Sequence, residues 1–217
     1  MALQWQQYSG KWNLQTQGQA KGAGTWPAPP SAKRFAWGSN VTGRLGDGTT
    51  TNYSSPIQVG TDTWTHLESM YNAGGGVKEA GTLWMWGANN SGRLGDGTTT
   101  ARSSPVQIGA LTNWLNVSCG YSTYAVKTDG SLWAWGYGGN GQLGQGNTTT
   151  YSSPVQVGAL TNWRSTASAY QFALAIKTDG TLWAMGGNTK GQLGDGTVTS
   201  RNSPVQIGSF TDWLSIA

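Results

Sequence analysis

The sequence predicts an all-β fold, a β-propeller built from four-stranded repeats of about 49 residues. The first observation is the motif Gly-Ser-Leu-Trp-Ala-Trp-Gly at residues 130–136, which recurs with small changes at residues 81–87 and 180–186. The second is a constant spacing, because successive leucines of a Gly-Arg/Gln-Leu-Gly motif lie 49, 49 and 50 residues apart (Leu45, Leu94, Leu143 and Leu193). The third is composition, since 34 glycines and 13 tryptophans in 217 residues suit tight turns and stacked sheets.

Four strands are predicted in each repeat, and residues 110–158 show them best. The first two lie at residues 114–118 and 123–127, and a Thr-Asp-Gly turn leads into the tryptophan strand at 132–135. The glycine of such a turn adopts a positive φ at little cost, which favours a hairpin. The fourth strand begins at Pro154, after a long polar loop. About four blades are therefore present, although not all are complete.

The tryptophan strand is predicted to pack between neighbouring blades. Trp133 and Trp135 share one strand face because side chains alternate, and the small Ala134 lies between them. Stacked sheets need large side chains opposite small ones. We therefore expect a structural core made of tryptophans that lie between the sheets and of leucines from the loops (Trp86, Trp135, Trp183, Leu94, Leu143 and Leu193). A ligand-stacking platform is the alternative interpretation of such an aromatic row.

The landmarks divide the chain into an N-terminal segment and a series of blades. The segment is residues 1–34, and the propeller repeats occupy a half blade, three blades and the start of another (35–60, 61–109, 110–158, 159–208 and 209–217). Because the series stops within a repeat, we expect the gene to continue past Ala217. The face beside Phe35 and Trp37 should be exposed, covered by a later segment or paired with another subunit.

One repeat departs from the others in its second strand. Residues 72–77 have the sequence Asn-Ala-Gly-Gly-Gly-Val, where the next repeat has Ser-Thr-Tyr-Ala-Val at 122–126. Glycine weakens a strand and often marks a place where another backbone comes close. This blade is therefore expected to lose its second strand and to be distorted or closely approached by another backbone.

These landmarks resemble the regulator-of-chromosome-condensation repeat, in its short bacterial and phage form. The resemblance rests on Trp135-Gly136, on residues 140–144 and 154–157, and on Lys-Thr-Asp-Gly-Ser-Leu-Trp at 127–133, and it covers about residues 35–217. It implies a β-propeller, usually with seven four-stranded blades. The chain departs from the family where repeats often carry a histidine before the second strand, since other residues stand there (Ala73, Ser122 and Phe172).

Residues 1–34 are predicted to be a docking hairpin followed by a Gly/Pro arm. Apolar residues alternate with polar ones at 3–5 and 12–14 around a Ser-Gly turn, and Trp-Pro-Ala-Pro-Pro at 26–30 favours an extended arm. Four cations, at Lys11, Lys21, Lys33 and Arg34, account for the whole net charge of +4. We expect this segment to bind an acidic surface of a particle through its aromatic rings and lysines (Trp5, Tyr8, Trp12, Trp26, Lys11 and Lys21).

The same segment resembles the N-terminus of phage tail-fibre and other virion proteins. This resemblance implies a non-enzymatic virion protein, a tail fibre, receptor-binding or display protein that is assembled in the host cytoplasm and localised at the particle surface. Its expected partners are other virion proteins through residues 1–34, a host-surface glycan or protein, and further copies of itself. The first residues lack the basic and apolar regions of a signal peptide. The alternatives are an interaction scaffold of inhibitor or exchange-factor type, and a capsule-cleaving enzyme.

No catalytic, cofactor or metal motif is predicted. His66, the one histidine, shares a strand face with Glu68, and the single Cys119 is expected to be a small buried residue. Three Leu-Gly-Asp-Gly aspartates (Asp47, Asp96 and Asp195) suit either calcium or a turn, and Gln145 at the equivalent place favours the turn.

The propeller is not expected to bind nucleic acid or to insert into a membrane. The repeats from residue 35 onward have equal numbers of basic and acidic residues, which is not the charge pattern of a DNA-binding surface. No apolar run is long enough to cross a membrane. Runs of threonine are expected to line one rim, where hydroxyl groups suit glycan or protein contact as well as solubility (49–51, 98–100 and 148–150).

Overall fold

The computed structural model describes residues 33–70 and 72–216, and within them the backbone forms fourteen β-strands. No helix that could span a membrane occurs in the part of the chain so described. The predicted docking residues of the N-terminal segment lie outside it (Trp5, Tyr8, Lys11, Trp12, Lys21 and Trp26). The strands are β1 (Phe35–Gly38), β2 (Tyr53–Gln58), β3 (Trp64–Met70), β4 (Ala73–Lys78), β5 (Leu83–Gly87), β6 (Arg102–Gln107), β7 (Trp114–Ser118), β8 (Ser122–Lys127), β9 (Leu132–Gly136), β10 (Tyr151–Gln156), β11 (Trp163–Ser168), β12 (Phe172–Lys177), β13 (Leu182–Gly186) and β14 (Arg201–Gln206).

Twelve of these strands form three antiparallel sheets of four, each in chain order. The sheets are β3–β6, β7–β10 and β11–β14, and they lie within residues 61–109, 110–158 and 159–208. We call them the complete blades. The predicted four-stranded antiparallel repeat is thereby confirmed. The first strands β3, β7 and β11 lie beside one another, so the blades follow one another around a common centre.

The strands β1 and β2 form a separate two-stranded sheet, the half blade. Phe35 pairs with Gln58 in the register that joins Trp84 to Gln107. The half blade therefore consists of the third and fourth strands of a repeat. Its other edge, along β1, has no neighbouring strand in the described chain.

No strand is formed at 209–216, although this segment begins where the next blade would begin. The Trp213 N–H donates to the Gly180 carbonyl at 3.2 Å, as the Trp163 N–H donates to the Gly130 carbonyl at 3.0 Å. Each bond links the start of a first strand to a turn of the preceding blade. Residues 213–216 therefore lie at the first-strand position of a further blade.

The prediction that residues 72–77 lose a strand is wrong, because β4 is a regular strand bonded on both sides. Its glycines are approached mainly by side chains, although a Cβ at Gly76 would also lie 2.8 Å from the His66 carbonyl oxygen. Gly75 lies opposite Met85, whereas in the next blade Tyr124 lies opposite Ala134. A Cβ at Gly75 would come 2.9 Å from Cys119 Sγ and would collide with Met85 Sδ. The large residue has therefore moved from the second strand to the third, and each pair still places a large side chain opposite a small one.

The core lies between the sheets, and the predicted rings occupy two different positions in it. Trp86 is 3% exposed and Trp135 is fully buried, as predicted. The prediction for Trp183 is wrong, because this ring is only half-buried. Its register with Gln206 makes it the counterpart of Trp133, and Met185 fills the buried place instead. All three loop leucines are buried (Leu94, Leu143 and Leu193).

A lysine lies between two tryptophan rings in every complete blade. Lys127 Nζ is 3.6 Å from the ring centroid of Trp133 and 4.8 Å from that of Trp114. The corresponding lysines contact the corresponding pairs in the other two blades (Lys78 with Trp64 and Trp84, Lys177 with Trp163 and Trp183). Cation–π attraction therefore joins the first, second and third strands at one end of each blade.

Candidate interaction surface

Three tyrosines lie at the same edge of neighbouring blades, and we call this group the tyrosine face (Tyr121, Tyr137 and Tyr170). Tyr121 and Tyr170 occupy the turns between first and second strands, and Tyr137 follows a third strand. Because strands alternate in direction, these three places lie at the same edge of their sheets. The Tyr121 and Tyr170 rings meet edge to face with centroids 4.4 Å apart. Tyr137 donates its backbone N–H to the Tyr121 carbonyl at 3.2 Å.

Two of these rings are open to solvent, since Tyr170 is 60% and Tyr137 is 38% exposed. Arg93 is buried against the third ring, with its Cζ 4.6 Å from the Tyr121 centroid. Burial lowers the pKa of Arg93, although Tyr121 acts in the opposite direction. None of the described carboxylates pairs with this guanidinium, and its Nε has no hydrogen-bond partner there. The tyrosine face therefore combines exposed rings with an uncompensated cation.

Arg34, counted above as a free charge of the N-terminal segment, is a buried part of the propeller unit. The compact unit begins at Lys33, and the Arg34 Cζ lies 4.2 Å from the Trp86 ring centroid. Its Nη2 donates to the Gly46 carbonyl at 2.9 Å. Burial lowers the pKa of Arg34 to about 10, and the charges of Asp62 and Asp47 partly offset this. Arg34 is therefore not available to the partner that the sequence predicted for it.

The first strands line a groove of about 510 Å³ that contains the histidine and glutamate singled out above. His66 Nε2 makes a hydrogen bond of 2.7 Å with the Val117 carbonyl, and Asn116 Nδ2 donates to the Arg164 carbonyl at 3.0 Å. These bonds join neighbouring blades. Burial raises the pKa of Glu68, and His66 partly offsets the change. Glu68 is the one carboxylate among the described lining of the groove.

The loop aspartates accept hydrogen bonds within their own loops, as the turn interpretation predicts. Asn89 Nδ2 donates to Asp96 Oδ1 at 3.1 Å, and the Thr98 hydroxyl donates to the same oxygen at 2.8 Å. Arg102 binds the other oxygen at 2.8 Å through Nε. Burial alone would raise the pKa of Asp96, but bonds from Thr98 and Arg102 outweigh it and lower the pKa. No cluster of three metal-binding side chains occurs in the described residues.

This network is absent from one loop, where four of its members change together. Residues 138–151 have Gly, Gln, Asn and Tyr where residues 89–102 have Asn, Asp, Thr and Arg. Gln145 donates instead to the Gln156 carbonyl at 3.0 Å. In the other loops the first threonine of each run donates its hydroxyl to the aspartate, and the next two threonines are exposed. The rim hydroxyls that remain for a glycan or protein are therefore those of the later threonines.

A second groove, of about 370 Å³, runs along the open edge of the half blade. Phe35 and Trp37 are 52% and 59% exposed there, and Leu67, Glu68 and Trp86 form the opposite wall. This is the place that first and second strands fill in the complete blades.

The regulator of chromosome condensation (RCC1) repeat matches residues 80–126, 129–176 and 179–217. The chain belongs to the RCC1 repeat family. A second description of the RCC1 repeat matches residues 164–192. The matched segments begin in the turns before third strands, so each RCC1 repeat combines parts of two neighbouring blades. Among curated proteins, no sequence matches the chain.

Solved RCC1-like structures share this fold. Prp20p from Saccharomyces cerevisiae superposes with a TM-score of 0.72 and 17% identity over 82% of this chain and 46% of its own. Human WBSCR16 gives 0.70 and 19%, over 82% of this chain and 48% of its own. Yeast RCC1 (Prp20) bound to Kap60 gives 0.70 and 17%, over 82% and 45%. The chain thus spans about half the length of these structures, and the likeness establishes the propeller fold.

The tyrosine face and the lysines between the rings were not predicted from the sequence. Both carry a sequence signal, because Tyr121 and Tyr170 lie 49 residues apart, which is the period of the repeat. Lys78, Lys127 and Lys177 recur in the same way. The residues that were singled out are spread over the unit, since His66 and Glu68 line the groove of the first strands and Cys119 is buried beside β7. Burial raises the pKa of the Cys119 thiol, with a smaller contribution from Glu68.

Proposed function

We propose that the chain is a non-enzymatic interaction propeller that binds a protein partner on its tyrosine face. The observation that carries this proposal is the exposed tyrosine cluster over the buried Arg93, which lacks a carboxylate partner among the described residues. Tyrosine and arginine are enriched among the residues that contribute most to protein interfaces. Apolar groups of a partner would contact the tyrosine rings. Acidic groups of the same partner would attract the positive charge of Arg93.

Binding by similarly folded members of the RCC1 repeat family supports a binding role. The similarly folded Prp20p has binding properties to Gsp1p and histones, and yeast RCC1 (Prp20) binds Kap60. Since a shared fold carries many functions, these partners belong to the yeast protein, and the family argues only for a binding role. For this chain the role must be tested at its own surface.

A photo-crosslinking residue at position 170 tests the proposal directly. Position 160 is the matched control, because Leu160 is also exposed, at 50%, and precedes a first strand on the opposite face. In an extract of the source cells, the full chain should crosslink to one defined protein from position 170 and not from position 160. The unlabelled chain should compete, and the double variant Tyr137→Ser/Tyr170→Ser should not. Equal crosslinking from both positions would overturn the proposal.

The particle-bound form of this role remains a proposal that rests on residues 1–34. In it, the aromatic rings and lysines of the segment anchor the chain to virion proteins, and the propeller faces a host glycan or protein (Trp5, Tyr8, Lys11, Trp12, Lys21 and Trp26). Removing residues 1–32 should release the protein from purified particles and leave the melting temperature of the propeller unchanged. Stoichiometric recovery of the shortened chain with particles would contradict the anchor.

The enzyme alternative has less support from the arrangement of the site. Glycoside cleavage uses two carboxylates on opposite sides of the scissile bond. In the groove of the first strands the described lining supplies one, Glu68. A glycan-release assay with capsule polysaccharide tests this alternative, and activity that is lost in a Glu68→Gln variant would favour it over the binding role.

A further inference from the structure

The complete blades β3–β6 and β7–β10 enclose a groove of about 490 Å³ between them. Val106 and Ile108 line it from the first of these blades, and Trp133 and Pro154 line it from the second. Leu111, which is 47% exposed, belongs to the connection between the two blades. We call this space the interblade groove. Its described lining shares no residue with the tyrosine face, so the two surfaces can be tested separately.

An aromatic ring forms part of one wall of the interblade groove. Trp133 is half-buried, and Lys127 lies over one face of its ring, with Nζ 3.6 Å from the centroid. Lys127 does not line the groove, so the part of the ring that reaches the groove is not covered by the cation. The face of an aromatic ring is electron-rich and attracts slightly positive C–H groups. Val106 and Pro154 extend this apolar surface.

Two polar side chains of the lining keep hydrogen-bonding groups that the described chain does not use. Arg102 binds one oxygen of Asp96 through Nε at 2.8 Å and through Nη2 at 2.6 Å. Its Nη1 makes no hydrogen bond to a described residue and retains two N–H donors. Gln107 Nε2 donates to the Gly109 carbonyl at 3.0 Å, which leaves Oε1 as an acceptor. The groove therefore offers both donors and an acceptor next to an apolar surface.

The aspartate–arginine pair distinguishes this groove from the equivalent places in the described chain where a loop meets the following blade. The loop at residues 40–53 has Asp47 with Tyr53, and the loop at 138–151 has Gln145 with Tyr151. The tryptophan at the position of Trp133 is repeated in the other complete blades. Among these places, a guanidinium held by a carboxylate beside the ring is therefore particular to the interblade groove.

The polarity of the groove favours an uncharged ligand that has both apolar and hydroxyl groups. Asp96 and Arg102 are the charged residues of its described lining, and they neutralise each other. A wholly apolar ligand would cover the free groups of Arg102 and Gln107 without pairing them, which costs free energy. A ligand with an apolar face and hydroxyls around its edge satisfies both parts of the wall.

An extended peptide fits this groove less well. The fourth strands β6 and β10 are the outer strands of the two blades, and each contains a proline, Pro105 and Pro154. Proline has no N–H, so it interrupts the ladder of hydrogen bonds through which a peptide adds to the edge of a sheet.

We propose that the interblade groove binds an uncharged sugar residue of a glycan. The C–H face of a pyranose ring packs on Trp133. Neighbouring hydroxyls of the sugar accept hydrogen bonds from Arg102 Nη1, and another hydroxyl donates to Gln107 Oε1. The volume of the groove lies within the range of small-molecule sites. This site does not depend on the protein partner proposed for the tyrosine face.

The test is binding of the 217-residue chain to an array of immobilised oligosaccharides with gluco-, galacto- and manno-configured rings and with their uronic-acid counterparts. Uncharged members should retain the chain. The best-retained sugar is then titrated by calorimetry up to about 10 mM, a range that covers millimolar dissociation constants. Trp133→Met and Arg102→Tyr should each weaken binding by about tenfold or more, as expected for central aromatic and arginine contacts.

The chain offers a matched control for the tryptophan variant. Trp183 meets Lys177 at 3.7 Å and Trp163 at 5.9 Å, as Trp133 meets Lys127 at 3.6 Å and Trp114 at 6.1 Å. Since Trp183 does not line the interblade groove, Trp183→Met should lose the same contacts within its blade and bind the sugar like the wild type.

The arginine variant has a control as well. Arg102→Tyr reproduces the natural pair of the first loop, where the Tyr53 side chain hydrogen-bonds to Asp47. Arg201 binds Asp195 through Nε at 2.7 Å and does not line the groove, so Arg201→Tyr should keep wild-type binding. The double variant Tyr137→Ser/Tyr170→Ser should also keep it, which separates this site from the tyrosine face.

Three outcomes would overturn the proposal. The first is that no uncharged oligosaccharide retains the chain, or that the uronic-acid members retain it better. The second is equal weakening by Trp133→Met and Trp183→Met, since that result indicates a loss of folding or a different site. The third is binding to an array of synthetic peptides that Arg102→Tyr abolishes, without any sugar binding, which would assign the groove to a protein. If Trp133→Met fails to fold, the comparison of Arg102→Tyr with Arg201→Tyr decides the question.

Discussion

Trp37 and Trp135 occupy the same place in two repeats, yet one is 59% exposed and the other is fully buried. Both follow an alanine in the third strand of their blades, and both precede a glycine. The difference is made by neighbours, because within the described residues the half blade has only its third and fourth strands and no loop covers its ring. The stability of a repeat protein is the sum of the stability of each repeat and of the contacts between neighbouring repeats. Trp37 and Trp135 differ only in the contacts between repeats.

The largest expected effect is the loss of a ring at the buried place. Trp135→Ala should lower the free energy of unfolding by about 3–5 kcal/mol, because it removes a large side chain and leaves a cavity. Trp37→Ala in dilute, monomeric protein should change it by less than about 0.5 kcal/mol, as for other surface changes. Urea denaturation followed by circular dichroism measures both. Equal losses would show that the half blade is covered in solution.

A smaller effect is expected from adding volume at the third-strand alanines. Ala134 is buried opposite Tyr124, so Ala134→Met should cost about 1–3 kcal/mol through overpacking. Ala36 is only half-buried, and β1 has no described second strand on the edge away from β2, so Ala36→Met should be tolerated. The double variant Tyr124→Gly/Ala134→Met reproduces the pair found at Gly75 and Met85, and it should recover part of the loss. A double variant that is less stable than Ala134→Met alone would contradict this account of the glycine strand.

The loop network predicts a dependence on pH. The pKa of Asp96 is lowered in the folded chain, so its stabilising effect is fully present above the ordinary carboxylate pKa of about 4 and is lost as pH falls below it. Asp96→Asn should cost about 1–2 kcal/mol at pH 7, because charged hydrogen bonds to Thr98 and Arg102 are lost. The difference in melting temperature between variant and wild type should shrink towards about pH 2.

The half blade offers the control for this prediction. Asp47 binds Asn40 and Thr49 as Asp96 binds Asn89 and Thr98, so its loop network does not need the missing strands. Asp47→Asn should therefore show a pH dependence in the same direction. Its loss of stability should be smaller, because a tyrosine occupies the position equivalent to Arg102. If the difference in melting temperature between variant and wild type grew as pH fell, the predicted direction of the pH dependence would be wrong for both residues.

The smallest expected effect concerns the lysine between the rings. Lys127→Met keeps most of the apolar stem and removes the cation, and it should cost about 1 kcal/mol. Lys190 is exposed on a loop, and Lys190→Met should have no measurable effect. The half blade has Phe35 at the ring position, where this ring is 52% exposed at the open edge. Equal stability of the two lysine variants would show that the cation contributes nothing.

Much of the fold could be predicted because it depends on local pattern. The period, the turn before each third strand and the alternation around Ala134 all lie within a few residues of one another. The candidate surface could not be predicted in the same way. Tyr121 and Tyr170 meet only because consecutive blades lie side by side, and Arg93 lies under a ring of the following blade. Neither contact appears in any short stretch of sequence.

The amino-acid sequence by itself determined the repeat, its four strands and the position of the ring strand, since period-two alternation and turn glycines act over short distances. Tertiary structure alone decided how each copy of the repeat is used. It buried Trp135 and left Trp37 exposed, it enclosed Arg34 against Trp86, and it allowed a glycine strand to pair with Met85. The physical reason is that burial is a property of neighbouring blades, and the residues that provide it lie about one repeat away along the chain.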